Sequence, residues 1–321
     1  MTQPICTFKT LPIDLINYIV SFCDPTPLKL SSATKSFNDA REVLKLSTPP
    51  SQRKWTDRKL SLILQKFKNL TSFTLNGGYD KTYSTSNIGI EFSKCKKLEK
   101  VQLLEMSTIS THTLEYLSKC KNLTELSITS TSNSTIRLAN FLCTNHGLNL
   151  KVLDLTGTEC NLGSGNIGLA TKHLTNLEVL SITHIGPLSN EALVQLANNC
   201  KKLIKLAVGF LWINDDGLRD FAKSAPNLRK LCAIHMRKIT HVGLQALAQH
   251  CPNLEALHLI VIDDTPLIAS VLSKDFKKLR HSYIHSSFTN CETKKQLIAS
   301  ESLKTRTSFK SGALTQPPKE F

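Results

Sequence analysis

The sequence predicts an α/β solenoid, a stack of short strand–turn–helix units preceded by a small all-α segment. Three observations predict it. One apolar pattern recurs at nearly constant spacing through most of the chain. A capping residue and an apolar helical face follow four of the copies. The first forty-odd residues stand outside that frame and carry an apolar stripe of their own.

The recurring pattern is a small or apolar residue, two polar positions, Leu, two variable positions, an apolar residue, one variable position and a further apolar residue. Cys95-Lys-Lys-Leu98-Glu-Lys-Val101-Gln-Leu103 and Cys120-Lys-Asn-Leu123-Thr-Glu-Leu126-Ser-Ile128 are clear copies, as are those beginning at Cys200 and Cys251. Weaker copies begin at Phe67, Gly147, Leu174, Ala225 and Phe276. The nine starts are separated by 28, 25, 27, 27, 26, 25, 26 and 25 residues. A fixed period in this range marks a repeat architecture. One unit cannot bury its apolar side alone; stacked neighbours bury a continuous core. The expected result is a right-handed solenoid with parallel strands on the concave side and short helices on the convex side.

The second half of each unit reads as a helix. Ile109-Ser110, Leu188-Ser189, Ile213-Asn214 and Ile239-Thr240 each put a capping residue after an apolar one. A side-chain oxygen there can accept from free amides at a helix start. Leu114 and Leu117, Leu193 and Leu196, Leu218 and Phe221, and Leu244 and Leu247 then supply one apolar face. Gly163-Ser-Gly165 breaks this regularity, so local irregularity is expected between the copies at Gly147 and Leu174.

Four of the ten cysteines, Cys95, Cys120, Cys200 and Cys251, occupy one equivalent inward position. Gly147, Leu174, Ala225 and Phe276 stand there in other copies. Such exchange fits a packing site, because a free cysteine behaves as a small hydrophobe. A disulfide or metal site would not tolerate it.

On these residues the chain from 67 to 285 resembles the leucine-rich repeats, in particular their cysteine-containing subclass. That subclass often carries a second Cys eleven positions after the first. Here Met106, Thr131, Thr158, Ile185, Leu211, Met236 and Ile262 stand there instead.

Residues 1–46 do not follow the frame. Leu11-Pro12 leads into Leu15, Ile19 and Phe22 at helical spacing. Asp24-Pro25 ends that helix, since Pro lacks the amide donor and restricts its predecessor. Leu28, Leu30 and Phe37 follow. This segment resembles an F-box. The resemblance implies docking on a Skp-family adaptor within a cullin–RING ubiquitin ligase, through Leu11, Pro12, Leu15, Ile19, Leu28, Leu30 and Phe37. Residues 31–40 lack the basic, bulky run usual before the aromatic. Residues 47–66, with Pro49-Pro50, read as a linker and lead-in helix, and 286–321 as a cap and flexible tail.

A protein target is expected on the concave strands. Side chains alternate along a strand, so one row is Thr74, Gln102, Ser127, Asp154, Ser181, Ala207, Cys232, His258 and Tyr283. The candidate contacts are Phe210, Trp212, Ile234, His235, His258, Ile260 and Tyr283, an apolar and aromatic group toward one end.

The net charge of +15 is spread as lysine pairs just after helices. Cations there complement the helix dipole, and no aromatic-interleaved basic run points to nucleic acid. No apolar run reaches the length of a membrane span. Cys232 and His258 on adjacent strands are a possible nucleophile pair, but no oxyanion site or orienting group accompanies them. No phosphate-binding loop, metal spacing or hydrolase elbow is present. The expectation is a non-catalytic adaptor without cofactor or metal, in the eukaryotic or host cytosol, with thiols free. The nucleus is a second location. The alternative is a repeat scaffold whose N-terminal helices only cap the solenoid, including an effector that a bacterium or virus delivers into a eukaryotic cell.

Overall fold

The computed structural model describes residues 42–47, 60–61, 64–65, 69–77, 84–85, 89–106, 108–130, 141–142, 149–158, 164–183, 188–209, 212–236, 239–261 and 266–286. In chain order the elements begin with strands β1 (Glu42–Ser47), β2 (Leu70–Asn76) and β3 (Ser84–Thr85), then helix α1 (Gly89–Lys94). Strands β4 (Lys100–Leu104) and β5 (Thr108–Ile109) precede α2 (Thr111–Ser118). Strands β6 (Glu125–Thr129) and β7 (Val152–Asp154) precede α3 (Ser164–Thr171). Strict alternation follows: β8 (Val179–Ile182), α4 (Asn190–Asn199), β9 (Lys205–Gly209), α5 (Asp215–Ser224), β10 (Lys230–Met236) and α6 (His241–His250). Strand β11 (Ala256–Val261), α7 (Pro266–Lys274) and β12 (His281–Ser286) complete the series.

Ten strands form one sheet in the order β1-β2-β4-β6-β7-β8-β9-β10-β11-β12, while β3 and β5 pair separately. Every neighbour in the large sheet is parallel. This is the leucine-rich-repeat solenoid expected from the period. Its core is the set of frame residues: Leu126 and Ile128, Leu206 and Val208, and Leu257 and Leu259 are all buried. Strand β7, in the irregular region, is only 3 residues long.

The sheet starts earlier than the sequence frame. Strand β1, in residues assigned to the helical segment and linker, pairs with β2 so that Leu44 meets Phe73 and Leu46 meets Leu75. Leu44 and Leu46 are therefore the seventh and ninth positions of a further unit. Arg41 stands where its fourth-position leucine would be, which hides the copy from a leucine-based frame.

The helix starts are capped as expected. The Ser110, Ser189 and Asn214 side chains accept from the amides of Thr113, Ala192 and Gly217, and that of Thr240 from Val242. The first residue of a helix also reaches the cap of the next. Asn190 donates its amide to Asn214 Oδ1 at 2.8 Å, and Asn214 N donates back to Asn190 Oδ1 at 3.3 Å. The Asp215 carboxylate accepts from Thr240 N at 2.8 Å and Thr240 Oγ1 at 2.6 Å. Glycine makes room for these reaches: a Cβ on Gly217 would lie 2.0 Å from Asn190 Oδ1, and one on Gly243 2.4 Å from Asp215 Oδ1. Helix propensity alone favours Gly243→Ala by about 1 kcal/mol. Displacing Asp215 costs more, because overpacking of about 1–3 kcal/mol adds to a lost cap of about 1 kcal/mol. Gly243→Ala is therefore expected to lower the urea midpoint, and Asp215→Ala on top of it to add little further loss.

Strand exits turn through the left-handed region at equivalent positions, with φ of 53° at Glu105, 54° at Ser130 and 69° at Gly157. Each amide there donates to the next strand, to the carbonyls of Thr129, Thr156 and Thr183.

The frame cysteines are buried packing groups. Cys95 Sγ donates to Glu91 O at 3.4 Å, Cys200 to Leu174 O at 3.6 Å and Cys251 to Ala225 O at 3.4 Å. Burial pushes the thiols of Cys120, Cys200 and Cys251 up to about 12, with the Cys95 sulfur adding to the effect at Cys120. The thiolate is the reactive form. These sites are expected to resist iodoacetamide at pH 8 until urea unfolds the chain, as peptide mass spectrometry would read.

Candidate interaction surface

The strand register aligns one row of positions across the sheet. Lys45 pairs in register with Thr74, Thr74 with Gln102, Gln102 with Ser127, and Ser127 with Asp154. The row continues through Ser181, Ala207, Cys232, His258 and Tyr283. It is the row read from the sequence, lengthened by Lys45 on the unforeseen strand.

Its first part is polar, with Thr74, Gln102, Asp154 and Ser181 half-buried and Ser127 buried. Thr74 Oγ1 donates to Gln102 Oε1 at 3.0 Å. Thr156 donates from N and from Oγ1 to Asp154 Oδ1, at 3.0 and 2.6 Å, and Thr156 Oγ1 lies 2.6 Å from Ser181 Oγ. Asp154 and Ser181 are thus joined through Thr156 into one hydroxyl–carboxylate cluster in the middle of the concave face.

The other end differs from the expectation. His258 is fully buried, as is Cys232. His258 Nδ1 lies 3.3 Å from Cys232 Sγ. A fully buried side chain offers no contact area, so His258 is corrected from a target contact to an interior group. Alternation along the strand identified its face, but the cover over that face is not encoded in the strand itself. Burial pushes the Cys232 thiol up to about 12, away from the thiolate that is the reactive form.

Trp212 is 76% exposed rather than packed beneath its turn, although its amide is held by Leu188 O at 2.9 Å. It sits just before α5, whose exposed Asp216 pairs with Arg219. Val242 and Leu267, near the starts of α6 and α7, are also exposed. The backbone of Ile234 pairs with Gly209, that of Ile260 with His285 and that of Tyr283 with His258. His235 lies where the β10–β11 register slips between Ala233 and Met236. Phe210 lies outside the described residues, as do all the adaptor-docking candidates Leu11, Pro12, Leu15, Ile19, Leu28, Leu30 and Phe37.

A second row was not recognised in the sequence. The third frame position is Asn or Lys in all nine copies, from Asn69 to Lys278. These side chains bridge neighbouring units. Asn122 donates to Lys96 O at 2.7 Å and Asn227 to Lys201 O at 3.2 Å. Lys202 reaches Asn176 Oδ1, and Lys278 reaches Asn253 Oδ1, both at 2.6 Å. The restriction to two residue types was the available signal.

Among the described residues, no group of three or more His, Cys, Asp or Glu is placed to hold a metal, and no helix is long and apolar enough to cross a membrane.

The fold and its register-aligned rows define a leucine-rich-repeat solenoid. No protein-family model matches the sequence. Solved structures similar to it at low identity include the following three. A chain of the yeast Rad7–Elc1 complex is 16% identical, with 73% of this chain and 68% of that chain covered and a TM-score of 0.48. A chain of the TLR13–ssRNA13 complex is 16% identical, covering 73% of this chain and 31% of that chain, with a TM-score of 0.47. An internalin of Listeria monocytogenes is 15% identical, covering 93% and 94%, with a TM-score of 0.46.

Proposed function

We propose that this chain is a non-catalytic substrate adaptor of a Skp–cullin–F-box-type ubiquitin ligase. Its F-box-like residues 1–46 dock on the Skp-family adaptor, and its repeats hold a protein target. The observation that carries the target-binding half is the row of variable side chains that parallel pairing aligns across one sheet. The same frame residues build the core of every unit, so the intervening positions are released to form a surface. Recruitment raises the concentration of a target near the ligase and needs no chemistry from the adaptor. The eukaryotic or host cytosol is the compartment that fits this role.

The ligase half rests on the F-box resemblance of Leu11-Pro12, Leu15, Ile19, Leu28, Leu30 and Phe37. Its test is direct binding of the purified chain to a Skp-family adaptor, beside Ile19→Asp. Binding by the parent and not by the variant is expected, with circular dichroism showing that both fold. A folded parent that does not bind sinks this half.

A second reading is a repeat scaffold whose N-terminal residues only cap the stack. The pairing of β1 with β2 favours it, because residues adjoining the F-box-like segment belong to the sheet. Under that reading Ile19→Asp lowers the melting temperature and the parent binds no adaptor.

A further inference from the structure

Among the described residues the two edges of the solenoid carry opposite charge. In each unit the chain runs from the strand to the helix across one edge and returns across the other. Helix ends and strand starts share the return edge, and that edge is basic. In one return Lys96 and Lys97 stand exposed beside Glu99, while the neighbouring Lys94 is paired with Glu91. In the last described return Lys274, Lys277, Lys278 and Arg280 stand with only Asp275, again all exposed. Lys201 and Lys202 lie between, also exposed. The opposite edge, where helices begin, carries Glu105, Glu191, Asp215 and Asp216. The helix dipole accounts for cations near helix ends. It leaves their charge facing solvent.

We infer that the basic return edge docks an acidic segment of a partner protein, with the acidic edge steering that partner into one orientation. Complementary potentials of this kind set encounter rate and register more than raw affinity. Two observations favour a protein over other polyanions. Carboxylates are built into the same edge, with Glu125 on Lys100 at 2.7 Å, Glu178 on Lys151 at 3.9 Å and Glu255 on Arg229 at 3.6 Å. A phosphate backbone tracking the edge would meet that interruption at each of these units, whereas a nucleic-acid groove is continuously positive and offers aromatic faces. The exposed large apolar residues Ile90, Trp212, Val242 and Leu267 sit at helix starts, on the other edge. Among the described residues only Leu169, in the last turn of α3, could enter a bilayer from the basic side.

The inference rests on the interaction-scaffold reading but not on the ligase half of it. The probes are a fluorescein-labelled oligoglutamate, a single-stranded oligonucleotide of equal charge, and phosphatidylserine vesicles. Each is titrated with the full chain at two salt concentrations. The oligoglutamate is expected to bind, to weaken with salt, and to bind best of the three. A quadruple charge reversal, Lys96→Glu, Lys97→Glu, Lys277→Glu and Lys278→Glu, is expected to weaken it about thirtyfold, four exposed charge contacts being lost. Trp212→Ala should leave it unchanged. Circular dichroism checks that the variant folds; if it does not, the pairwise reversals Lys96→Glu/Lys97→Glu and Lys277→Glu/Lys278→Glu are read instead. No binding of oligoglutamate, binding indifferent to the reversal, or tighter binding of the oligonucleotide or the vesicles overturns the inference. Adaptor binding of the charge-reversed chain separates this failure from failure of the ligase reading.

Discussion

Phe221→Ala is expected to lower the unfolding free energy by about 3–5 kcal/mol, the cost of emptying a buried aromatic site. Phe221 is fully buried in α5, three residues after Leu218. Around it are Leu193, Leu206, Val208, Ile213, Leu231 and Ala233, drawn from its own unit and both neighbours. Stability in a solenoid is close to a sum of unit and nearest-neighbour terms. A cavity at such a junction therefore weakens two interfaces at once. Urea unfolding followed by circular dichroism should show the loss. The transition should also broaden or split, as the parts on either side of α5 unfold at different concentrations. A single transition displaced by less than about 1 kcal/mol would show that the neighbours collapse into the space.

Glu91→Gln is expected to cost about 2–3 kcal/mol at neutral pH, the loss from weakening several hydrogen bonds to one buried charged group. Glu91 is only 4% exposed. Its Oε1 accepts from Ser61 Oγ at 3.1 Å and from Gln65 Nε2 at 3.2 Å, and Lys94 Nζ reaches both oxygens at 3.1 Å. Burial pushes this carboxyl upward. The hydrogen bonds from Gln65, Lys94 and Ser61, with the Lys94 charge, outweigh that and leave it below its ordinary value of 4.5. A depressed carboxylate stabilises the fold above the unfolded-state pKa, and the benefit is lost as pH falls through the folded one. The gap between parent and Glu91→Gln should therefore be full at pH 7 and narrow as pH falls below the ordinary carboxylate value. Because Lys94 is 60% exposed, its ion pair contributes little and Lys94→Ala should cost far less. A gap independent of pH would place the loss in packing instead.

The units were legible because each position answers to one strong local demand. Leu98, Leu123, Leu203 and Leu254 must fill the core, and Ser110, Ser189, Asn214 and Thr240 must satisfy free amides. Such demands leave a periodic trace. Strand β1 escaped because Arg41 replaces the marker leucine, although Leu44 is buried and Leu46 pairs in register with Leu75. The reach of Asp215 to Thr240 escaped because an acidic residue in a first helical turn already has a local reason to be there. The concave row was legible in order, since alternation fixes faces. Its exposure was not: Trp212 stands out in solvent while His258 is enclosed. Burial depends on what lies across the sheet, and no spacing along the strand records that.

The unbroken parallel sheet also sets a length scale. Neighbouring strands lie about 4.8 Å apart, so β1 and β12 are separated by roughly 43 Å across the sheet. Whatever grips the chain before β1 and whatever rests on its last strands are thereby held at a fixed separation. Removing one whole unit would shorten that separation by about 4.8 Å and rotate one end against the other through the sheet twist of roughly 20–25°. The number of units is then a setting of reach and angle, and a family of deletions would vary it in even steps.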